Sequence, residues 1–113
     1  MPITAQNELM RRIPHRDPAD VPVTELMYAL SDPARARIVG LLARARTPLT
    51  CGEISAGRPK STMSHHFRIL REAGVIETEV QGKEHLNRLR REELEERYPG
   101  LISPLLKALR DED

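Results

Sequence analysis

Between Pro59 and Gly74 the chain arranges Lys60, Ser61, Thr62, Ser64, His65, Arg68 and Arg71 around an apolar series, Met63, Phe67 and Leu70, spaced i, i+4 and i+7. That spacing predicts a helix with one buried stripe. The polar set then faces outward with two cations, short hydroxyls and an imidazole, groups able to bond phosphate oxygens and the edges of nucleic-acid bases. Pro59 and the hydroxyls of Ser61 and Thr62 signal the start of the helix. Gly74 signals its exit, where a left-handed residue is needed. His66, three residues after Met63, stands between the two faces. An ordinary amphipathic surface helix shows the same pattern, so the flanking segments must decide between the readings.

Other chemistries are poorly served. A zinc site needs three or four converging ligands. His65 and His66 are adjacent, so on a helix they diverge by about 100°, and His15 and His85 are distant in sequence. No metal or other cofactor is expected. Cys51 is the single cysteine, which excludes an intrachain disulfide. A redox role would require a low pKa or a partner thiol, and the simpler expectation is a small buried residue. Ser61, Ser64, His65 and Glu72 lie on one helix and cannot aim at one reacting atom as a catalytic triad must. Gly52, Gly57 and Gly74 read as turn or cap residues rather than a phosphate loop. The expectation is a protein that is not an enzyme, with no catalytic residues.

The elements that position the polar helix can be read around it. With 113 residues, one Phe, two Tyr and no Trp, the chain suits one domain with an aliphatic core. Its net charge of +1 hides a split. Residues 58–90 carry seven cations (Arg58, Lys60, Arg68, Arg71, Lys83, Arg88, Arg90) against four glutamates, whereas residues 91–113 carry four cations against seven acids. A basic middle with an acidic tail suits contact with a polyanion on one face. No apolar run approaches the ~20 residues of a membrane span, and the first residues lack a secretory core segment. A soluble, cytoplasmic protein with no membrane partner is expected.

Residues 1–20 read as an N-terminal arm, either flexible or tied down by a second subunit, with a short helix from Thr4 to Ile13 and a break at Pro14 to Pro18. Thr24 to Leu30 predicts a short helix with Leu26, Met27 and Leu30 inward. Asp32-Pro33 starts the next helix as cap and first residue; it runs to about Arg46 and buries Ala34, Ile38, Leu41, Leu42 and Ala45, with Arg35, Arg37, Arg44 and Arg46 on its other sides. Leu49 is an extended link. A very short helix from Thr50 or Cys51 to near Gly57, then Arg58-Pro59, leads into the polar helix, which makes a helix-turn-helix. Ile76, Thr78 and Val80 alternate, Gln81 to Glu84 turn on Gly82, and His85 to Arg90 return as a second strand. A hairpin in that place is how a winged helix is built, with Lys83 at the wing tip. Arg91 to Tyr98 is a polar helix. Leu101, Ile102, Leu105, Leu106 and Leu109 form an apolar face on a terminal helix, expected to begin at Pro104 and to pair with a second copy in preference to packing onto its own core.

Three of these segments carry a resemblance. Tyr28-Ala29-Leu30-Ser31-Asp32-Pro33-Ala34-Arg35-Ala36-Arg37-Ile38-Val39-Gly40-Leu41-Leu42 resembles the opening of the ArsR-type winged-helix transcriptional repressors. Ser61 to Ile76 is similar to that family's recognition helix and first wing strand, and Gly82 followed by Asn87-Arg88-Leu89 to its returning strand. The resemblance covers about residues 24–90. It implies a mainly α fold with a small β-hairpin wing, dimerised through its terminal helices, and a homodimeric repressor that binds two-fold operator DNA and is released by an effector. An activator would have much the same sequence. The implied DNA contacts are Lys60, Ser61, Thr62, Ser64, His65, Arg68 and Lys83; the dimer interface expected from the apolar terminal face is Leu101, Ile102, Leu105, Leu106 and Leu109. The implied organisation is an arm at 1–20, a DNA-binding domain at 21–98, and a dimerisation helix with an acidic tail at 99–113. The sequence departs from the family's metal sensors: Thr50-Cys51-Gly52-Glu53-Ile54 holds one cysteine where they hold two, the terminal segment has no histidine, and the helix before the turn is shorter. An effector, if a small molecule, would then sit at the seam between the arm and the terminal helix. The competing reading is a winged-helix module that binds protein and has no specific DNA site; weak salt dependence of any DNA affinity would mark it.

Overall fold

A computed structural model describes residues 14–111. The helix expected at Thr4 to Ile13 lies outside them, as do the last two residues of the acidic tail. Among the described residues, a turn of 3-10 helix at Pro18–Asp20 precedes α1 (Val23–Leu30) and α2 (Pro33–Ala45). Strand β1 (Leu49–Thr50), α3 (Cys51–Ser55) and α4 (Lys60–Glu72) follow. The hairpin is β2 (Ile76–Gln81) and β3 (Glu84–Leu89), and the chain closes with α5 (Arg91–Arg97) and α6 (Ile102–Asp111). The result is a mostly helical winged helix with a three-stranded antiparallel sheet in the order β1-β3-β2.

Local chemistry accounts for the boundaries. Asp32 accepts the Ala34 and Arg35 amides at 2.9 and 3.2 Å, and Pro33 opens α2. Helix α2 ends one residue before Arg46, which takes the left-handed conformation at φ 62°. Thr50 and Glu53 cap α3 reciprocally, each side chain bonding the other's backbone N–H. Ala56 (φ 49°) and Gly57 (φ 82°) are left-handed in succession and reverse the chain toward α4. Residue pairs run from Ile76 opposite Leu89 to Gln81 opposite Glu84, leaving Gly82 and Lys83 as a two-residue loop. Gly82 has φ 60° at the position where such a loop needs glycine.

Leu49 and Thr50 are more than an extended link: they pair with Asn87 and Leu86 and add a third strand. The wing is thereby joined to the entry of α3. Asn87 is fully buried and satisfied, its Oδ1 accepting from the Thr78 hydroxyl at 2.7 Å, its Nδ2 donating to Leu49 O at 3.3 Å and to Cys51 Sγ at 3.2 Å. Buried polar groups need such partners.

Three expectations about faces are corrected. Met27 is 62% exposed, and α1 buries Leu26 and Ala29 instead. Helix α2 is enclosed on a wider front, because α1, α4 and α6 all pack on it. Val39, Gly40 and Ala43 join Ile38 and Leu42 in its buried set, whereas Leu41 and Ala45 are half-buried. Arg35, read as an outward cation, is buried. The apolar terminal helix begins at Ile102, since a proline two residues later still lies in the first turn, where no intrahelical N–H bond is lost. Ile102 and Leu106 are buried in the core of their own chain against α2, which leaves Leu101 exposed and Leu105 and Leu109 half-buried.

Residues 14–20 are held by this chain's own core rather than needing a second subunit. The Arg16 amide donates to Arg71 O at the end of α4, the Arg90 guanidinium donates to Arg16 O at 2.7 Å, and Pro18 is buried. Gly74, with φ 73°, admits Pro18 so closely that a Cβ there would lie 3.0 Å from its backbone.

Two predictions follow from this packing. A Cβ at Gly40 would stand 2.9 Å from Leu109 O, so Gly40→Ala must push α6 off α2. We expect a loss of about 1–3 kcal/mol, read by urea unfolding, and little change if α6 can shift freely. Asp32→Ala should cost about 1 kcal/mol as a lost cap. Desolvation works against the Asp32 charge, but the amides of Arg35 and Ala34 and the nearby His66 and Arg35 hold its pKa below the ordinary value. Its stabilisation is complete above the ordinary aspartate pKa and disappears as pH falls through the lower folded value. The stability gap between parent and variant should therefore close in that acid range.

Candidate nucleic-acid interface

Helix α4 faces its two environments sharply. Met63, Phe67 and Leu70 are buried, and Lys60, Ser61, Thr62, Ser64, His65 and Arg68 are all exposed. Ser61 and Thr62 do not cap the helix. Pro59 is the N-cap, and among the described residues no side chain bonds the first turn. The two hydroxyls therefore project from the helix start beside amide N–H groups that lack intrahelical partners. Arg68 Nη2 lies 3.4 Å from His65 Nδ1, one turn back along the same face.

His66 turns inward. Its ring is buried with Nδ1 3.3 Å from Arg35 Nη1 and Nε2 3.9 Å from Asp32 Oδ2. Arg35 donates further to Ala29 O at 2.8 Å and Tyr28 O at 3.2 Å, the carbonyls that close α1, and stacks 5.1 Å from the Tyr28 ring centre. A cation at a helix C-terminus meets favourable partial charge. One guanidinium thus joins α1, α2 and α4 and fixes the roll of the polar helix. The chemical signal for this was present in sequence only as His66 falling at i+3 from Met63.

Arg71 departs from expectation. It is half-buried rather than on the open face, and burial pulls its pKa down while the neighbouring Cys51 and Glu72 oppose the shift. It leaves Arg68 and Lys60 as the exposed cations of α4.

The wing brings Lys83 to the same side. Lys60 and Ser64 from α4 and Lys83 and His85 from the hairpin line one open cleft of about 450 Å³, with Cys51 and Phe67 also in its wall. On the opposite flank of α4, His65 and Arg68 share a second trough of about 500 Å³ with Arg16, Glu25 and Tyr28. Five of the seven residues singled out from sequence line the two flanks of the helix, Lys60, Ser64 and Lys83 on one and His65 and Arg68 on the other, whereas Ser61 and Thr62 are exposed at its start and line neither. His85, Tyr28 and Arg16 also line these flanks and were not singled out; only their placement in the fold reveals them. Among the described residues no group of three His, Cys, Asp or Glu is gathered as metal ligands, and no helix is long and apolar enough to cross a membrane.

A helix-turn-helix domain family matches residues 30–79. The chain is 32% identical over 83 residues to YceK, an uncharacterised helix-turn-helix-type transcriptional regulator of Bacillus subtilis, covering 72% of this chain and 83% of that protein. The chain belongs to the helix-turn-helix transcriptional regulators. A further regulator of this type, from Methanocaldococcus jannaschii, is 36% identical over 59 residues, which span 51% of this chain and 66% of that protein. The matched region holds α2, α3, α4 and the start of the wing, so the regulator's shared part is the one that carries the projecting helix.

The inward and outward histidines of this regulator should respond differently to truncation. His66→Ala strands a buried guanidinium and should cost about 1–3 kcal/mol, whereas His65→Ala should stay within about 0.5 kcal/mol. Equal losses in urea unfolding would contradict the assignment of the two faces.

Proposed function

We propose that this DNA-binding regulator is a homodimeric, sequence-specific repressor of the ArsR type, cytoplasmic and released from two-fold operator DNA by an effector. The observation that carries the reading is the exposed polar face of α4 and its convergence with the wing-tip Lys83 on one surface. In this reading α4 enters the major groove, where Ser61, Thr62, Ser64, His65 and Arg68 meet base edges or flanking phosphates, and Lys60 and Lys83 neutralise backbone charge. The two troughs beside α4 correspond to the two sugar-phosphate strands that border a major groove. The absence of a cysteine pair around Cys51 argues for an effector other than a thiolate-bound metal.

Pairing through the terminal segments completes the proposal. Ile102 and Leu106 are already engaged with α2, so the residues left for a partner on α6 and just before it are Leu101, Leu105 and Leu109. Two copies would hold their α4 helices about one duplex turn, ~34 Å, apart.

The decisive measurement is binding of the full chain to operator and random duplexes over a range of salt. Operator binding should be at least on the order of 10³-fold tighter than random DNA, with two chains per site. Lys83→Ala should weaken all duplexes alike and reduce the salt slope by about one. Ser64→Ala and His65→Ala should instead relax base preference. Unchanged binding in all three variants would refute the assignment of the reading face.

A further inference from the structure

The cleft between α4 and the wing has more in it than a DNA backbone requires. A phosphate seat is built from N–H, O–H and cationic groups alone. Here Lys60, Lys83 and His85 supply such a rim, but the wall beneath includes the side chains of Met63, Phe67 and Cys51. Met63 and Phe67 are almost entirely enclosed, so what they offer the cleft is an apolar floor and not a polar contact. The floor is firmly set: Cys51 Sγ accepts the amide of Asn87, itself locked between Thr78 and Leu49 O. The volume of about 450 Å³ falls within the roughly 300–1,000 Å³ range of small-molecule sites, which combine an apolar lining with a few convergent polar groups. Glu84 is the one acid in the wall, against two lysines.

We infer that this cleft binds a small organic anion, a carboxylate or sulfonate whose apolar body lies against the half-buried Cys51, over the edges of Met63 and Phe67, and whose charge meets Lys60 and Lys83. This rests on the DNA-binding reading above and deepens it by naming the regulation. The same two lysines cannot neutralise a backbone phosphate and the ligand's anion together. The ligand therefore binds the DNA-free protein selectively, and by linkage DNA and ligand each weaken the other. Release from DNA then needs no long-range change of shape. It also needs no cavity at the terminal helix, where Ile102 and Leu106 are packed into the chain's own core.

The test uses the full chain, naphthalene sulfonate as probe and a fluorescently labelled duplex. The probe should bind one site per chain and shift the backbone amide resonances of Cys51, Gly52, Ser64 and Lys83, and at saturation it should lower the apparent duplex affinity at least tenfold. Gly52→Leu gives an independent arm. A Cβ at Gly52 meets only Thr50 Oγ1, at 3.8 Å, so the first carbon of the new side chain has room, at an exposed position in the cleft wall. It should weaken the probe at least tenfold with the melting temperature unchanged. Resonance shifts confined to another surface, or probe and duplex bound together without mutual effect, would overturn the inference and leave the DNA reading intact. Probe uptake at these amides by a chain that binds no duplex would overturn the DNA reading and the competition with it, and retain the anion site alone.

Discussion

The guanidinium of Arg35 is the group on which the orientation of the exposed polar face of α4 depends. It lies out of water between the last carbonyls of α1 and the ring of His66 on α4. Such a cation is tolerated only when its donors are satisfied, and removal of a partner costs far more than the pair contributes by itself. The bonds therefore act as a constraint on direction. Helix α4 can rotate about its axis only by breaking the contact with His66, and holding His66 inward sets Ser64, His65 and Arg68 outward.

A second constraint ties the wing to the same frame. The hairpin alone would be a two-stranded ribbon, and such ribbons are marginally stable in water. Pairing of β1 with β3 makes it the edge of a three-stranded sheet, and Asn87 joins all three strands to the start of α3. The root of the wing that carries Lys83 thus stands at a defined place relative to the start of α4 that carries Lys60.

Much of this was legible in the sequence. Asp32-Pro33, the start of the very short helix at Thr50 or Cys51, and the Gly82 turn are local signals whose meaning does not depend on the rest of the chain, and they locate α2, α3 and the wing to within a residue or two. The exposed set on α4 followed from one period of hydrophobicity. What periodicity could not give is the partner of each face. Its apolar character places Met27 inward, yet the side of α1 that packs on the core is the one that carries Leu26 and Ala29. Charge alone places Arg35 outward, since a sequence does not show that the carbonyls of Tyr28 and Ala29 and the His66 ring will converge on it. The terminal leucines and isoleucine looked like a face reserved for a second subunit because nothing in the local pattern reveals Gly40. The missing side chain there creates the hollow into which α6 settles, and so decides that Ile102 and Leu106 belong to their own protomer.

The short segment ahead of α1 has an implication for force and linkage. Its backbone is fastened at Arg16 to the carboxyl end of α4 and, through Arg90, to the root of the hairpin. Traction applied to the backbone at residue 14 is consequently delivered, through Arg16, to the joint between helix and wing. A fusion partner, an affinity tag or a tethered neighbour attached there would load this joint directly, whereas the same cargo attached after α6 would pull on the opposite side of α2.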